Sequence, residues 1–179
     1  MKITFVRHTS VNVPRGVCYG QTDVPLSDTF TQEAEIIHNK LRSITENEPF
    51  DEVYTSPLSR CTHLADYCGY PYAIRDRRLL ELDFGEWEMI AFDENKDERL
   101  QLWYDDYIHV APTGGESFIM QYQRVFDFLE EIKKKTYNHV LVFAHGGVLI
   151  CAQIFAGLIN IEEGFSRLPV YGECVEIII

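Results

Sequence analysis

The stretch Lys2-Ile-Thr-Phe-Val-Arg-His8 decides how the rest of the chain is read. Ile3, Phe5 and Val6 are β-branched or aromatic, the run has the length of a buried strand, and Thr9, Ser10 and Asn12 follow as loop residues. The pattern predicts a strand that ends in a cation and an imidazole. In open α/β sheets the carboxyl edge of the strands is where ligands bind, and a guanidinium beside an imidazole there suits a phosphate or a carboxylate. Taken alone, Arg7-His8 reads better as a solvated charged pair closing a strand.

A second stretch changes the balance. Val140-Leu-Val-Phe-Ala144 is fully apolar, ends in His145, and is followed by Gly146-Gly147 and an apolar helical segment from Val148. Two strands that each deliver a histidine at the carboxyl end are hard to ascribe to accident. Between them, Ser56-Pro-Leu-Ser-Arg60 predicts a helix with Ser56 as N-cap, Pro57 at the first helical position and Arg60 in the opening turn. A second arginine would thus stand beside a positive helix end.

In chain order, the segment from Thr9 to Leu26 is too long for a mere connector, and Gly16 and Gly20 permit close backbone approach to a ligand. Thr29 and Gln32 are spaced as a capping box ahead of a helix whose stripe is Phe30, Ala34, Ile37, Leu41 and Ile44. Asp51 to Thr55 predicts a short strand, the Arg60 helix stops at Gly69-Tyr-Pro71, and Tyr72 to Ile74 reads as a further strand. Asp93 to His109 is charged, aromatic and helical in pattern; in it Trp103 and Tyr104 either contact a flat substrate or anchor the segment, as Tyr19 stands in the first loop. Gly114-Gly-Glu-Ser117 opens a long amphipathic helix with Phe118, Tyr122, Val125, Leu129 and Ile132 inward, and Cys174 to Ile179 supplies a last strand. The alternation of strands and helices implies an α/β fold with a mostly parallel central sheet flanked by helices.

The 179 residues, 46% hydrophobic and without a linker or repeat, suit one domain spanning 1–179. A net charge of −12 argues against nucleic acid as a partner. There is no run of 18 apolar residues and no signal-peptide pattern, so a cytoplasmic protein without a membrane span is expected. The cysteines, Cys18, Cys61, Cys68, Cys151 and Cys174, are odd in number and form no C-x-x-C pair, which argues against a disulfide framework. The histidines lack the short spacing of zinc hydrolases and there is no P-loop, so no metal site and no cofactor is expected.

Arg7-His8, Gly20-Gln-Thr-Asp-Val-Pro-Leu26, Ser56-Pro-Leu with Arg60, Glu81 to Glu88, Gly114-Gly-Glu-Ser117 and Ala144-His-Gly-Gly147 together resemble the histidine phosphatase superfamily. Within it, His8 to Leu26 and Phe84-Gly-Glu-Trp-Glu88 are most similar to the α-ribazole phosphatase branch, which works in cobalamin nucleotide-loop assembly. The resemblance implies a three-layer, phosphoglycerate mutase-like sandwich with a cap-like insert around 83–115. It implies a small phosphorylated metabolite as partner, with His8 taking the phosphoryl group, Glu81 as proton donor and His145 assisting. Arg7, Arg60, Asn12, Gly20 and Gly146 would bind the phosphate, and Asp83, Glu86 and Glu88 would hold local structure. A mutase-type phosphotransferase and a broad sugar or nucleotide phosphatase are the enzymatic alternatives, and a non-catalytic phospho-ligand binder is the third class.

Overall fold

A computed structural model describes residues 1–46 and 48–179. Lys2–Arg7 forms β1, with Ile3, Phe5 and Val6 completely buried, as a strand covered on both faces requires. His139–Ala144 forms β4, buried along its whole length. The two run parallel in a register that pairs Lys2 with His139 and Arg7 with Ala144. The next residue on each strand is a histidine, so this register alone sets His8 beside His145.

Between them the chain forms α1 (Phe30–Thr45), β2 (Glu52–Thr55), α2 (Ser59–Tyr67), β3 (Ile74–Arg75), α3 (Arg99–Asp105) and α4 (Phe118–Ile132). After β4 come α5 (Gly146–Phe155) and β5 (Cys174–Ile178). The sheet has five strands in the order β3-β2-β4-β1-β5, parallel except for β5, which runs antiparallel to β1 at the edge. Alternate residues of β1 and β4 face opposite sides. Ile3, Phe5, Val140 and Val142 pack with Phe118, Val125, Leu129 and Val148 of α4 and α5, whereas Val6, Leu141 and Phe143 pack with Ala34, Ile37, Leu41 and Leu64 of α1 and α2. This is the expected three-layer α/β sandwich. Among the described residues no helix is long and apolar enough to cross a membrane.

Four local expectations are corrected. Thr29 makes no capping bond to the backbone, because its hydroxyl donates to Glu33 Oε1 at 2.6 Å. Helix α2 starts at Ser59 with Leu58 in the N-cap position; the Ser56 hydroxyl accepts only the N–H of Leu58, at 3.4 Å, while Asp23 Oδ1 accepts from Ser59 N at 2.9 Å and from Ser59 Oγ at 2.7 Å. Of Asp93 to His109 only Arg99–Asp105 is helical, the preceding turn being fixed by Asp97 Oδ1, which accepts from Arg99 N at 2.8 Å. Strand β3 covers Ile74–Arg75 and leaves out Tyr72, which is 94% exposed.

Candidate active site

His8 lies one residue past β1, where its backbone N–H donates to Ala144 O at 3.1 Å. A carbonyl can only accept, so the 2.7 Å contact between His8 Nδ1 and Thr9 O places the ring hydrogen on Nδ1 and leaves a lone pair on Nε2. Burial, reinforced by the charges of Arg60 and Arg7, lowers the His8 pKa well below 6.5 despite the Thr9 carbonyl. The imidazole is therefore neutral at physiological pH. His145, one residue past β4, stands edge-on to it with ring centroids 5.1 Å apart and is hydrogen-bonded through Nε2 to Ser56 Oγ at 2.7 Å. Burial and the Arg60 charge keep it neutral too.

Two guanidinium groups flank the pair. Arg60 is wholly buried; Nη1 donates to Thr22 O at 2.9 Å and Nη2 to Gly20 O at 2.5 Å. Arg7 donates through Nη1 to Pro169 O and lies with Cζ 4.2 Å from the Tyr171 ring centre. In both, the Nε–H is buried and has no acceptor among the described residues. Buried charged donors are rarely left unpaired, so two such groups beside His8 mark a place made for an anion.

Glu81 reaches the site from the segment before Leu82. Its Oε1 accepts from Leu82 N at 2.9 Å and Gln121 Nε2 at 2.9 Å, and its Oε2 accepts from Gly147 N at 3.2 Å. A Cβ on residue 147 would fall 2.5 Å from Glu81 Oε1, so only glycine lets the start of α5 approach this closely. Behind it, Glu88 collects the N–H groups of Gly20 and Gln21 at 2.9 Å, Thr22 at 3.1 Å and Phe84 at 3.2 Å. Burial pushes the Glu88 pKa up, but these donors outweigh it and hold it below the ordinary value. Asp83 accepts from Gly85 N at 2.9 Å, while Glu86 is exposed.

A cavity of about 260 Å³ opens over these groups, with Arg7, His8, Tyr19 and Glu81 in its lining. The remaining walls are largely apolar, among them Leu82, Phe84, Phe92, Phe165 and Tyr171. Among the described residues, Arg7 and Glu81 are the only formally charged side chains in that lining. The arrangement can neutralise a dianion, offer it a neutral nitrogen nucleophile and exchange a proton at a carboxyl group.

Other expected contacts are placed differently. Asn12 is exposed and outside the lining, because its N–H donates to Pro25 O at 2.8 Å and the Val11–Leu26 bridge pins its turn away from His8. Gly20 offers no free N–H to a phosphate, Glu88 having taken it; it is glycine because a Cβ would lie 1.8 Å from Leu82 O. Gly146 is likewise outside the lining; a Cβ there would lie 2.5 Å from Leu168 Cδ1 and 3.3 Å from Arg7 Cζ. Arg60 and His145 are packed behind the lining, Arg60 against the Tyr19 ring and His145 against His8. Trp103 and Tyr104 lie outside the cavity; Trp103 is stacked on Phe92 with centroids 6.0 Å apart and meets Trp87 edge-on at 5.8 Å. It anchors the wall residue Phe92.

Sequence reasoning missed Ser56 as the partner of His145, Gln121 and Tyr171. Gln121 had a visible signal: it sits three residues after Phe118 and four before Val125, a polar side chain on the buried stripe of α4. Tyr171 had none.

Residues 3–174 match the histidine phosphatase superfamily (branch 1). The chain belongs to that superfamily, and fold and site together define an enzyme of the histidine phosphatase class. It is 30% identical over 163 residues to the adenosylcobalamin/alpha-ribazole phosphatase of Escherichia coli (strain K12), covering 83% of this chain and 75% of that protein. It is 29% identical over 150 residues to phosphoserine phosphatase 1 of Hydrogenobacter thermophilus, covering 79% of this chain and 69% of the relative. The crystal structure of the alpha-ribazole phosphatase from Shigella flexneri superimposes with a TM-score of 0.84 at 26% identity, over 100% of this chain and 91% of that one.

Proposed function

We propose that the chain, as one histidine phosphatase domain with residues 83–115 as an insert, hydrolyses phosphate monoesters through a phosphohistidine on His8. The observation that carries this reading is the pair of buried, acceptor-free Nε–H groups of Arg7 and Arg60 beside a neutral His8 with Nε2 free. Arg7, in the lining, binds the non-bridging oxygens, and Arg60, wholly buried behind the lining, adds its positive charge to the same place. His8 Nε2 attacks phosphorus in line, the phosphorus–oxygen bond to the alcohol breaks, and Glu81 delivers a proton to the departing oxygen. Water then attacks phosphorus, giving its proton to the Glu81 carboxylate, and the electron pair of the phosphorus–nitrogen bond returns to Nε2. His145 supports the imidazole of His8 and, through Ser56, is held in place from β2.

For the substrate we infer α-ribazole 5′-phosphate, an aromatic nucleotide of cobalamin nucleotide-loop assembly. The apolar and aromatic walls suit a flat, uncharged leaving group, and they supply no charged partners for the ammonium and carboxylate of phosphoserine or the carboxylate of phosphoglycerate. The name of the Escherichia coli relative points the same way. Phosphate release from α-ribazole 5′-phosphate, phosphoserine and 3-phosphoglycerate, with isomerisation of the last followed in parallel, tests both parts. We expect the highest kcat/KM for the first and no isomerisation; a preference for phosphoserine overturns the substrate, and isomerisation overturns the hydrolase.

A further inference from the structure

Gln121 has no place in the reaction described so far, yet it is completely buried on α4, and among the described residues the only hydrogen bond of its side chain goes to Glu81, 2.9 Å from Nε2 to Oε1. Its own Oε1 is buried and receives no donor. A buried amide oxygen left without a donor is costly. Turning the amide over would not relieve this, because it would set Gln121 Oε1 against a carboxylate oxygen. The orientation is therefore held by the bond that the other end makes.

That bond distinguishes the two oxygens of Glu81. Oε1 receives two N–H groups, from Leu82 and Gln121, which occupy both of its lone pairs, whereas Oε2 receives only the longer contact from Gly147 at 3.2 Å. We propose that Gln121 is a positioning residue for Glu81: it confines the exchangeable proton to Oε2 and stabilises the carboxylate that remains after each proton is delivered. This rests on Glu81 being the acid and base of the proposed reaction. The alternation asked of Glu81 explains why a glutamine stands there: the amide donates to the carboxylate of the second half-reaction, adds no charge of its own, and leaves Oε2 free to carry the proton of the first.

Other groups act on Glu81 as well. Arg124 of α4 donates to its backbone oxygen at 3.0 Å and is paired with Glu116, while Gln21 donates to the same oxygen at 3.2 Å. Arg7 and His8, from β1 and its end, share the cavity lining with Glu81, and Cys61 of α2 and Cys151 of α5 lie within reach of its charge. None of these is replaced by a change at residue 121, so a displaced pH profile there reports the amide.

The test is the pH dependence of His8 phosphorylation by an alkyl phosphate, measured in single turnovers, in the full-length protein. The rate should fall at high pH as the proton needed by the alkoxide is lost. Gln121→Met removes the donor but keeps the shape, and the limb should move up by about one pH unit, the order expected for one hydrogen bond to a charged acceptor. Gln121→Glu should move it up as well, through repulsion between two carboxylates. A packing defect alone would lower the rate at every pH and leave the limb in place, and if the methionine variant fails to fold the glutamate variant decides. Glu81→Gln serves as the reference. If the limb vanishes in Glu81→Gln but does not move in either Gln121 variant, the role of Gln121 is overturned and that of Glu81 stands. If the limb survives in Glu81→Gln, both fall together.

Discussion

The phenol oxygens of Tyr19 and Tyr171 lie 2.5 Å apart, a hydrogen bond between residues separated by 152 positions. The Tyr19 ring lies 5.5 Å from Arg60 Cζ and the Tyr171 ring 4.2 Å from Arg7 Cζ, so each tyrosine backs one arginine. Burial, and then the bond to Tyr171, push the Tyr19 pKa up, so the Tyr19 phenol keeps its proton. The two loops that hold the arginines are thereby tied across the cavity.

Replacement at Tyr171 should separate the tie from the platform. Tyr171→Phe keeps the ring over Arg7 and loses one hydrogen bond, about 1 kcal/mol. Tyr171→Ala also loses the cation–π contact, about another 1 kcal/mol or more. Steady-state kcat/KM should therefore fall in two steps, and equal values for the two variants would leave the ring without a role at Arg7.

His8→Ala should abolish the phosphoenzyme. His8 is 2% exposed, so a small cavity opens and Tm should be recorded alongside. Turnover should drop by at least ~10³-fold, with no phosphorylated species by intact mass under neutral quench. Residual activity within about tenfold, a barrier change of only about 1.4 kcal/mol, excludes His8 as nucleophile.

Glu81→Gln keeps the shape of Glu81 and removes its proton. An alkoxide leaving group needs that proton and p-nitrophenolate does not, so phosphorylation of His8 in single turnovers should slow far more with an alkyl phosphate than with p-nitrophenyl phosphate. The same loss with both substrates would move the acid role to another group, Asp83 being the next to test.

Glu88 is predicted to matter without touching substrate. Glu88→Ala leaves the N–H groups of Gly20, Gln21, Thr22 and Phe84 without their acceptor and frees the loop whose carbonyls fix Arg60. Stability should fall by roughly 2–3 kcal/mol, and KM should rise with it; a denaturant titration and steady-state kinetics check both.

The neutral histidines fix the sign of a pH effect. Both His8 and His145 titrate below 6.5 in the fold, whereas the unfolded chain takes up those protons near pH 6.5. Below about 6.5 the unfolded state thus binds more protons, and stability falls as pH drops towards the folded values. Tm should decrease from pH 7 to pH 5, with a shallower slope in His8→Ala. Phosphorylation of His8 should not fade near pH 6.5, because the folded imidazole has not yet been protonated there.

How much of this could be read from the chain differs by element. β1 and β4 were legible because continuous apolar runs with abrupt polar ends have few other uses, and the α1 and α4 stripes because their period is local. The cluster of Arg7, His8 and Glu81 in one cavity followed from strand ends and from the family resemblance. Ser56 was misread because its hydroxyl looks like a helix cap from its neighbours alone, while its partner, His145, comes from 89 residues away. The same holds for Asp23, which serves the start of α2 at a separation of 36. Asn12 was placed by analogy and taken out of reach by one short bridge to Leu26. Contacts between distant segments have no local period, and Tyr171 with its arginine belongs to that class.

The segment that leads into the edge strand β5 gives the site an order of assembly. Glu173 O accepts the Arg7 N–H at 2.9 Å, Gly172 N donates to His8 O at 3.2 Å, and Pro169 and Tyr171 hold the Arg7 side chain. The first residues of the site to leave the ribosome thus wait for some of the last. A nascent chain that has already made His8, Glu81 and His145 still lacks residues 169–173, the piece that aims Arg7.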